Sequence, residues 1–548
     1  MKSRSVLIGM FSVVLLAGGF LNSHSASQAE VPLFENLGDF HYSISTQNPV
    51  AQQYFDQGLI LAYAFNHAEA HRSFTEAARL DPKCAMCYWG QALVLGPNIN
   101  APMAPSAVPV AHEAIRKANQ LSRLATPKEQ ALIKALGQRY SKEVMSDRSS
   151  LDEAYVVAMR RVRVQFPDDS SIASLLSEAL MDLHPWNYWT KTGGAYPWTP
   201  EILTILELIL DLDPNHPLAN HLYIHTVEAS PHPERGIPSA DRLGDLVPGA
   251  GHLVHMPGHI YIRVGRYRDA LRANERATKV DKGYLRHSHT EGIYPLAYVP
   301  HNHHFLWAAA TKLGMKAVSL ESAEDTAAHV DPKMLKDPGL GATLQHFSMI
   351  PLYTKALFGQ WDDILQEAAP DLLYPKGVWH YARSLAHLRK GHVAQAEQEL
   401  SALQVIANDP ALADQRIFGL NPVSQLLQIG AEILSGELAA TRQDYDRAMA
   451  HLERATQLEE NLSYTEPKDW YLPPRQVLGA VLLEAGRAAE AERVYREDLV
   501  HHPQSGWSLF GLAESLRAQG KVQELPQIEG KFQTAWADAD VTLTSSRF

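Results

Sequence analysis

The chain has 548 residues and a formal net charge of −12, with 45% apolar and 20% charged residues. This length exceeds that of one ordinary domain, and the composition is that of a packed protein rather than a disordered one. The acidic balance argues against a nucleic-acid partner and against docking on an anionic membrane, since both require a basic surface.

The N-terminal segment has the pattern of a secretory signal peptide. Lys2 and Arg4 precede an apolar stretch over residues 6–21, and small residues around Ala29 form a cleavage site. The stretch is short for a membrane span, which needs about 20 residues. We therefore predict a signal peptide over residues 1–29, a mature chain without stable membrane insertion, and a periplasmic or secreted location.

Two segments fit a 34-residue repeat of two antiparallel helices, the tetratricopeptide (TPR) pattern. Small and large residues fall at the positions where such helices approach closely, counted from Ala51 and from Leu472: Tyr54, Gly58, Leu61, Ala70, Phe74, Ala77 and Pro82 in one segment, and Gly479, Leu482, Ala491, Tyr495 and Pro503 in the other. Trp507, Gly511 and Gly520 begin a further unit, and weaker units span residues 251–280, 377–403 and 429–457.

Helical spacing dominates the rest of the chain, while period-2 alternation is rare. We therefore predict an all-α fold, a TPR-like helical-repeat solenoid. A break over residues 369–375 marks an approximate boundary within this solenoid. The predicted organisation is a signal peptide over 1–29, an N-terminal TPR-like array with a His-rich middle region over 30–370, and a C-terminal TPR block over 371–548.

Cys84 and Cys87 form a CxxC pair just after Pro82. In an oxidising compartment such a pair forms a local disulfide or exchanges disulfides, but exchange needs a thioredoxin-like context that this sequence lacks. Tyr88 stands where a haem-attachment motif has His, which argues against haem. We predict a structural disulfide between Cys84 and Cys87.

Aromatic residues are concentrated in the stretch from His184 to Trp198, which contains Trp186, Tyr188 and Trp189. Such rings form either an apolar wall beside a small-molecule pocket or a filler between repeats. The sequence does not separate the two interpretations.

Histidine is concentrated in one part of the chain, since 13 of the 26 His lie between His184 and His304. The segment NHLYIHTVEAS places His221, His225 and Glu228 at positions i, i+4 and i+7, which share one helix face. Two imidazoles so placed chelate one metal ion, as in the zinc-binding HExxH helix. Glu228 is then a third ligand, an orienting residue or a general base, and as a base it is our candidate catalytic residue.

A second pair, His255 and His259, repeats the four-residue spacing, with His252 three residues before it. Pro257 fits a helix here only if the helix begins near that residue, which puts His255 in the turn that leads into it.

A third pair, His301 and His304, lies in the segment VPHNHHFLW, where His303 points elsewhere. Burying all these imidazoles for packing alone would leave their ring nitrogens to be hydrogen-bonded, which is an unfavourable way to fill a core. We therefore predict a transition-metal site whose ligands come from six residues: His221, His225, His255, His259, His301 and His304. All-imidazole ligation suits Zn or Cu, and six His exceed one tetrahedral ion, so either two ions are bound or some of these His are not ligands.

Several of these motifs resemble sequences of exported bacterial TPR proteins. The resemblance runs over roughly residues 50–310 and is carried by HMPGHIYIRVGRYRDALRANERA, HNHHF, DPKCAMCYWGQALVLGPNIN, MDLHPWNYW and HLYIHTVEASPHPERG. It implies the repeat fold far more than a reaction. Its motif positions include Glu228 and the six predicted ligands, whereas His184 stands where the family has Arg or Ser and is a poor ligand candidate.

Two functions follow. In one, the protein binds a transition metal ion, which it stores, delivers or uses for catalysis on a small molecule. In the other, the histidines are structural and the protein is a metal-free periplasmic scaffold whose concave groove holds a peptide or a protein partner. An open coordination position would favour catalysis, and a closed one would favour storage or structure.

Overall fold

The computed structural model describes residues 31–287 and 292–548. The signal peptide predicted over residues 1–29 lies outside the described residues, so the signal peptide and the exported location stay predictions. No helix among the described residues is both long and apolar enough to cross a bilayer.

α-Helices make up most of the described chain, and this confirms the predicted all-α fold. The first thirteen are α1 Pro49–Tyr63, α2 His67–Leu80, α3 Ala85–Leu93, α4 Ala107–Leu121, α5 Pro127–Leu136, α6 Ser149–Gln165, α7 Ser170–Asp182, α8 Thr199–Leu212, α9 Pro217–Val227, α10 Ile237–Leu246, α11 Gly251–His255, α12 Pro257–Arg263 and α13 Tyr267–His287. The others are α14 Val299–Lys312, α15 Lys316–Ala328, α16 Gly341–Ser348, α17 Ile350–Leu357, α18 Trp361–Gln366, α19 Leu373–Arg389, α20 Val393–Ala407, α21 Val423–Thr441, α22 Tyr445–Glu460, α23 Pro474–Glu484, α24 Ala488–His501, α25 Gly506–Ala518 and α26 Leu525–Ala535.

Strand is confined, within the described residues, to one short hairpin. β1 (Arg416–Ile417) pairs antiparallel with β2 (Asn421–Pro422), with Arg416 opposite Pro422. A π-helical turn over Tyr294–Tyr298 leads directly into α14.

Consecutive helices form the close pairs that the repeat pattern predicted. α1 packs on α2 and α23 on α24, and each pair meets at a glycine. A Cβ atom on Gly58 would lie 2.7 Å from the Phe74 ring, and one on Gly479 would lie 2.4 Å from the Tyr495 ring. Only glycine lets the two backbones approach this closely, which is the physical content of the small and large positions in the repeat.

The chain forms two compact units. The first comprises residues up to Ile260 together with Glu275–Tyr298, and the second comprises Tyr261–Asn274 and Val299–Phe548. In the second, the pairs α19–α20, α21–α22, α23–α24 and α25–α26 follow one another, as expected for a helical repeat array. The boundary near residue 370 that the sequence indicates stays a prediction. The two compact units are defined by contacts within the fold rather than by breaks between repeats, and their boundaries fall at other residues.

The Cys84 and Cys87 sulfurs are 2.06 Å apart, as the predicted local disulfide requires. Cys84 is also the N-cap of α3, where its sulfur accepts a hydrogen bond from the Cys87 N–H at 3.0 Å. The pair therefore closes the first turn of a helix, a structural role rather than the setting of a disulfide-exchange centre.

Candidate metal centre

Helix α9 is the central element of the site, and every one of its residues is buried. Its start is defined by Pro217 at the first position and by His216, whose Nδ1 accepts a hydrogen bond from the Ala219 N–H at 3.3 Å. The N–H groups of the first helical turn have no acceptor within the helix. Proline has no such N–H, and the preceding side chain accepts a hydrogen bond from one of the others. A helix buried on all sides places His221 and His225 inside the first unit, as their shared face predicted.

His221 is oriented by the backbone of α1. Its Nδ1 donates to the carbonyl oxygen of Tyr63 at 2.7 Å, because a carbonyl can only accept. In the neutral ring, Nε2 therefore carries the lone pair. That Nε2 atom is buried and has no hydrogen-bond partner among the described residues.

Glu228 orients two further histidines. One carboxylate oxygen accepts from His225 Nδ1 at 2.7 Å, and the other accepts from His259 Nδ1 at 2.5 Å. With both Nδ1 atoms protonated, the Nε2 atoms of His225 and His259 carry the lone pairs. Proteins commonly fix a metal-binding imidazole in this way, through a carboxylate on its other nitrogen.

The pKa shifts favour the same protonation states. Burial raises the pKa of Glu228, but the electrostatic interaction with the His259 ring and the hydrogen bond from His225 outweigh burial and bring that pKa well below its usual range. Burial lowers the pKa of His221 far below its usual value, with His225 adding to the shift, and it lowers the pKa of His225 as well. At neutral pH the site therefore holds an ionised Glu228 and neutral imidazoles at His221 and His225, the forms that bind a metal ion.

His252, on α11, completes a set of three imidazoles. Ligand atoms of His221, His225 and His252 lie within 4.8 Å of one another, and all three residues are buried. The centroid of the His221 ring is 4.9 Å from that of the His225 ring and 5.0 Å from that of the His252 ring. An ion with about 2.0–2.1 Å bonds to two imidazole nitrogens holds the ring centroids about 5 Å apart, so the spacing suits one shared ion.

The position of His252 is fixed by the start of its helix. Its backbone N–H donates to the Tyr294 hydroxyl at 3.1 Å, and that hydroxyl donates to Asp281 at 2.8 Å. A Cβ atom on Gly251 would lie 2.0 Å from an Asp281 oxygen, so only glycine fits before His252.

Two aromatic rings lie against His225. The Phe65 ring stacks on it at 6.1 Å and also contacts His221 at 4.5 Å, while the half-buried Trp186 meets it edge-on at 5.2 Å. Phe65 and Trp186 both have left-handed backbones, with φ of 55° and 62°. Such conformations are unfavourable for residues other than glycine and persist where packing enforces them, frequently at functional sites. Of the aromatic stretch, Trp186 lies beside His225, whereas His184 stacks on Trp198 at 3.6 Å.

His255 and His259 form the next pair, and their Nε2 atoms face each other at 2.9 Å. Pro257 begins α12, as predicted, while His255 lies at the end of the separate short helix α11. The ring of His255 is 5.7 Å from that of His252. The pair therefore adjoins the set of three.

The third predicted pair lies in the second unit, on α14. The His304 ring stacks on Trp307 at 5.1 Å and meets Phe347 at 5.3 Å. His301 contacts Phe305 at 5.5 Å. The assignment of His301 and His304 as metal ligands stays a prediction.

The sequence interpretation did not include two residues that shape the site. His252 was noted for its spacing but was not named as a ligand, although its i, i+3 relation to His255 carries the same information as the other pairs. Phe65 was not identified, because a left-handed phenylalanine has no sequence pattern of its own.

No family model matches this sequence, and no curated protein matches it either. Among solved structures, a human IFIT1 dimer with m7Gppp-AAAA has a TM-score of 0.32 at 12% identity, covering 92% of each chain. The APC/C hetero-tetramer Cut9–Hcn1 has a TM-score of 0.29 at 12% identity, covering 89% of this chain and 74% of that one. The P58(IPK) TPR domain has a TM-score of 0.22 at 12% identity, covering 86% and 99%. These values carry no argument about function.

Proposed function

We propose that the first unit binds a transition metal ion through the Nε2 atoms of His221 and His225 and an imidazole nitrogen of His252. The observation that carries this proposal is the pair of Nδ1 hydrogen bonds, from His221 to the Tyr63 carbonyl and from His225 to Glu228. Each bond leaves a lone pair on a buried Nε2 atom that has no hydrogen-bond partner among the described residues. A buried acceptor left unpaired is unfavourable by about 1–3 kcal/mol, and an ion would relieve that penalty at both atoms.

The donor set favours Zn or Cu. Three neutral imidazoles suit both ions, whereas Mg and Ca prefer carboxylate and carbonyl oxygens. Glu228 then acts as the orienting residue rather than as a base, because both of its oxygens already accept hydrogen bonds from imidazoles.

A three-histidine ion keeps a further coordination position, which is the arrangement of catalytic rather than structural zinc sites. Phe65 and Trp186 border His225, so an apolar or aromatic small molecule would find matching surface there. An ion held by these three histidines would supply Lewis-acid chemistry, which could polarise such a molecule or activate water. The exported location, proposed from the signal-peptide pattern, agrees with an oxidised cysteine pair.

The test is the metal content of untagged full-length protein purified from metal-replete cells. We expect at least one Zn or Cu per chain, loss of one equivalent in His221→Ala, and unchanged metal content in His232→Ala. His232 is a matched control, because its Nδ1 also contacts a glutamate, Glu234 at 3.1 Å, but its side chain is 67% exposed. Chelator should lower the melting temperature, since an ion bound only to the folded state stabilises it by mass action.

The repeat array of the second unit favours a second candidate function, a metal-free interaction scaffold, since successive helix pairs commonly bind peptides or proteins. Protein without metal, whose melting curve is unchanged by chelator, would contradict metal binding and leave this function.

A further inference from the structure

Five buried imidazoles in the first unit lie in a continuous series of ring contacts. The series runs through the histidines of α9, α11 and α12, and successive ring centroids are 4.8–5.7 Å apart, in the order His225, His221, His252, His255 and His259. It closes on itself, since the rings of His259 and His225 are 5.6 Å apart. Five imidazoles exceed what one four-coordinate ion can use.

We infer that the first unit binds two ions, the second of them at the Nε2 atoms of His255 and His259. This inference rests on the proposed function, since it adds a second ion beside the one held by His221, His225 and His252.

The geometry of the second pair supports this assignment. Nε2 of His255 and Nε2 of His259 face each other at 2.9 Å. Because His259 Nδ1 donates to Glu228, His259 Nε2 carries its lone pair toward His255. Two nitrogens on one tetrahedral ion with about 2.05 Å bonds are about 3.3 Å apart. Small rotations of the two rings would therefore admit an ion between atoms that already converge.

Glu228 connects the two positions. Its carboxylate accepts one hydrogen bond from a ligand of each proposed ion, His225 for the first and His259 for the second. One buried side chain therefore orients a ligand of both ions, and a change at Glu228 must affect both together.

Charge favours two copper(I) ions over two divalent ions. Glu228 contributes one negative charge to the hydrogen-bonded group, and it is completely buried. Two copper(I) ions bring two positive charges and two zinc(II) ions bring four, and uncompensated buried charge is strongly unfavourable. Copper is also an ion that imidazole nitrogens bind well, and the pair His255–His259 supplies two of them.

The test is an anaerobic titration of metal-free full-length protein with copper(I) in the presence of a competing chromophoric chelator. We expect two tightly bound equivalents per chain. His259→Ala should bind one, and His221→Ala should bind one, because each change removes a ligand of a different ion. The control variant His232→Ala, changed at an exposed histidine, should still bind two equivalents.

Glu228→Gln separates an orienting role from a ligand role. We expect it to keep two equivalents while weakening each by about 10–100-fold, as is usual when the hydrogen-bond partner of a ligand is removed. Exposed Glu234→Gln is its control. Melting curves of the metal-free variants show which of them keep the native fold, and His259→Gln replaces His259→Ala where the smaller side chain unfolds the protein.

A wild-type count of one equivalent, unchanged by His259→Ala, would overturn the second ion and leave the proposed function standing. A count of zero would overturn both. Two equivalents with Glu228→Gln losing one of them completely would overturn the shared orienting role.

Discussion

Helices α9 and α14 present the same sequence pattern with different structural outcomes. Both carry two histidines three or four residues apart on one face. On α9 each imidazole donates its Nδ1 proton to an oxygen, from Tyr63 or from Glu228. On α14 the His304 ring packs between Trp307 and Phe347, and neither of its nitrogens has a hydrogen-bond partner among the described residues.

The difference shows what residue spacing does and does not decide. Spacing places two imidazoles on one helix face. Whether they are ready to bind an ion depends on an oxygen that fixes the tautomer, and that oxygen comes from another element or from the helix end. In the second unit, His346, which the sequence prediction did not include, contacts the Tyr374 hydroxyl through its Nδ1 at 2.8 Å. A hydroxyl can donate or accept, so this contact does not fix the tautomer.

The largest effect is expected when ligands are removed from two helices of the first unit. His225→Ala combined with His259→Ala should reduce metal affinity by more than 100-fold, because loss of a ligand must exceed the ~10–100-fold effect of losing a ligand's partner. His304→Leu should leave metal content unchanged, because the structure gives His304 no oxygen to fix its tautomer. Elemental analysis measures both. Loss of metal in His304→Leu would show instead that α14 contributes a ligand.

Acid should destabilise the metal-free protein through its buried histidines, and His346 offers a clean measure. Burial lowers the pKa of His346 to about 3. Because its unfolded pKa is about 6.5, the unfolded state binds the extra proton first, and stability falls as pH decreases from about 6.5 toward 3. The slope for one group is up to about 1.4 kcal/mol per pH unit. His346→Phe should remove that share of the slope in denaturant titrations between pH 7 and pH 4. An unchanged slope would mean that His346 is not held neutral.

Adding a methyl group at a repeat glycine should lower the stability of either unit but should weaken metal binding only in the first. Gly58→Ala and Gly479→Ala each push a Cβ atom into an aromatic ring, and each should lower the free energy of unfolding by about 1–3 kcal/mol. Only Gly58→Ala should also weaken metal binding, because its helix, α1, carries the Tyr63 carbonyl. Denaturant curves and metal titrations on both variants decide this. Equal metal affinity in the two would separate α1 packing from the site.

The smallest effect is expected at Cys84 and Cys87, which lie outside the histidine set. Thiol titration without reductant should find both oxidised in the native protein. Their loop is short, so Cys84→Ser with Cys87→Ser should lower the free energy of unfolding by no more than about 2 kcal/mol. Metal content should stay unchanged. Two free thiols in the native protein would show the disulfide prediction to be wrong.

Much of the fold could be predicted from the sequence because repeat packing is local. Gly58 and Phe74 lie 16 positions apart and meet within one helix pair, so their spacing carries the information. Pro257 likewise marks the start of α12 by its own chemistry. The oxygen that holds His221 is a backbone carbonyl, which every residue has, and no pattern distinguishes Tyr63 from its neighbours. The left-handed backbones of Phe65 and Trp186 run against the preferences of those residues, so only tertiary packing determines them.

The hydrogen bond from His221 to Tyr63 joins positions 158 residues apart. A growing chain presents Tyr63 long before His221 exists, and it presents the α9 histidines before α11 and α12 have been made. The prepared site therefore arises only when the first helix pair and the later histidine helices have docked in the same molecule. Under the proposed function, ion capture would follow completion of the first unit, and ions met earlier would encounter only unorganised imidazoles. Selection among competing ions would then be deferred until the fold itself imposes geometry.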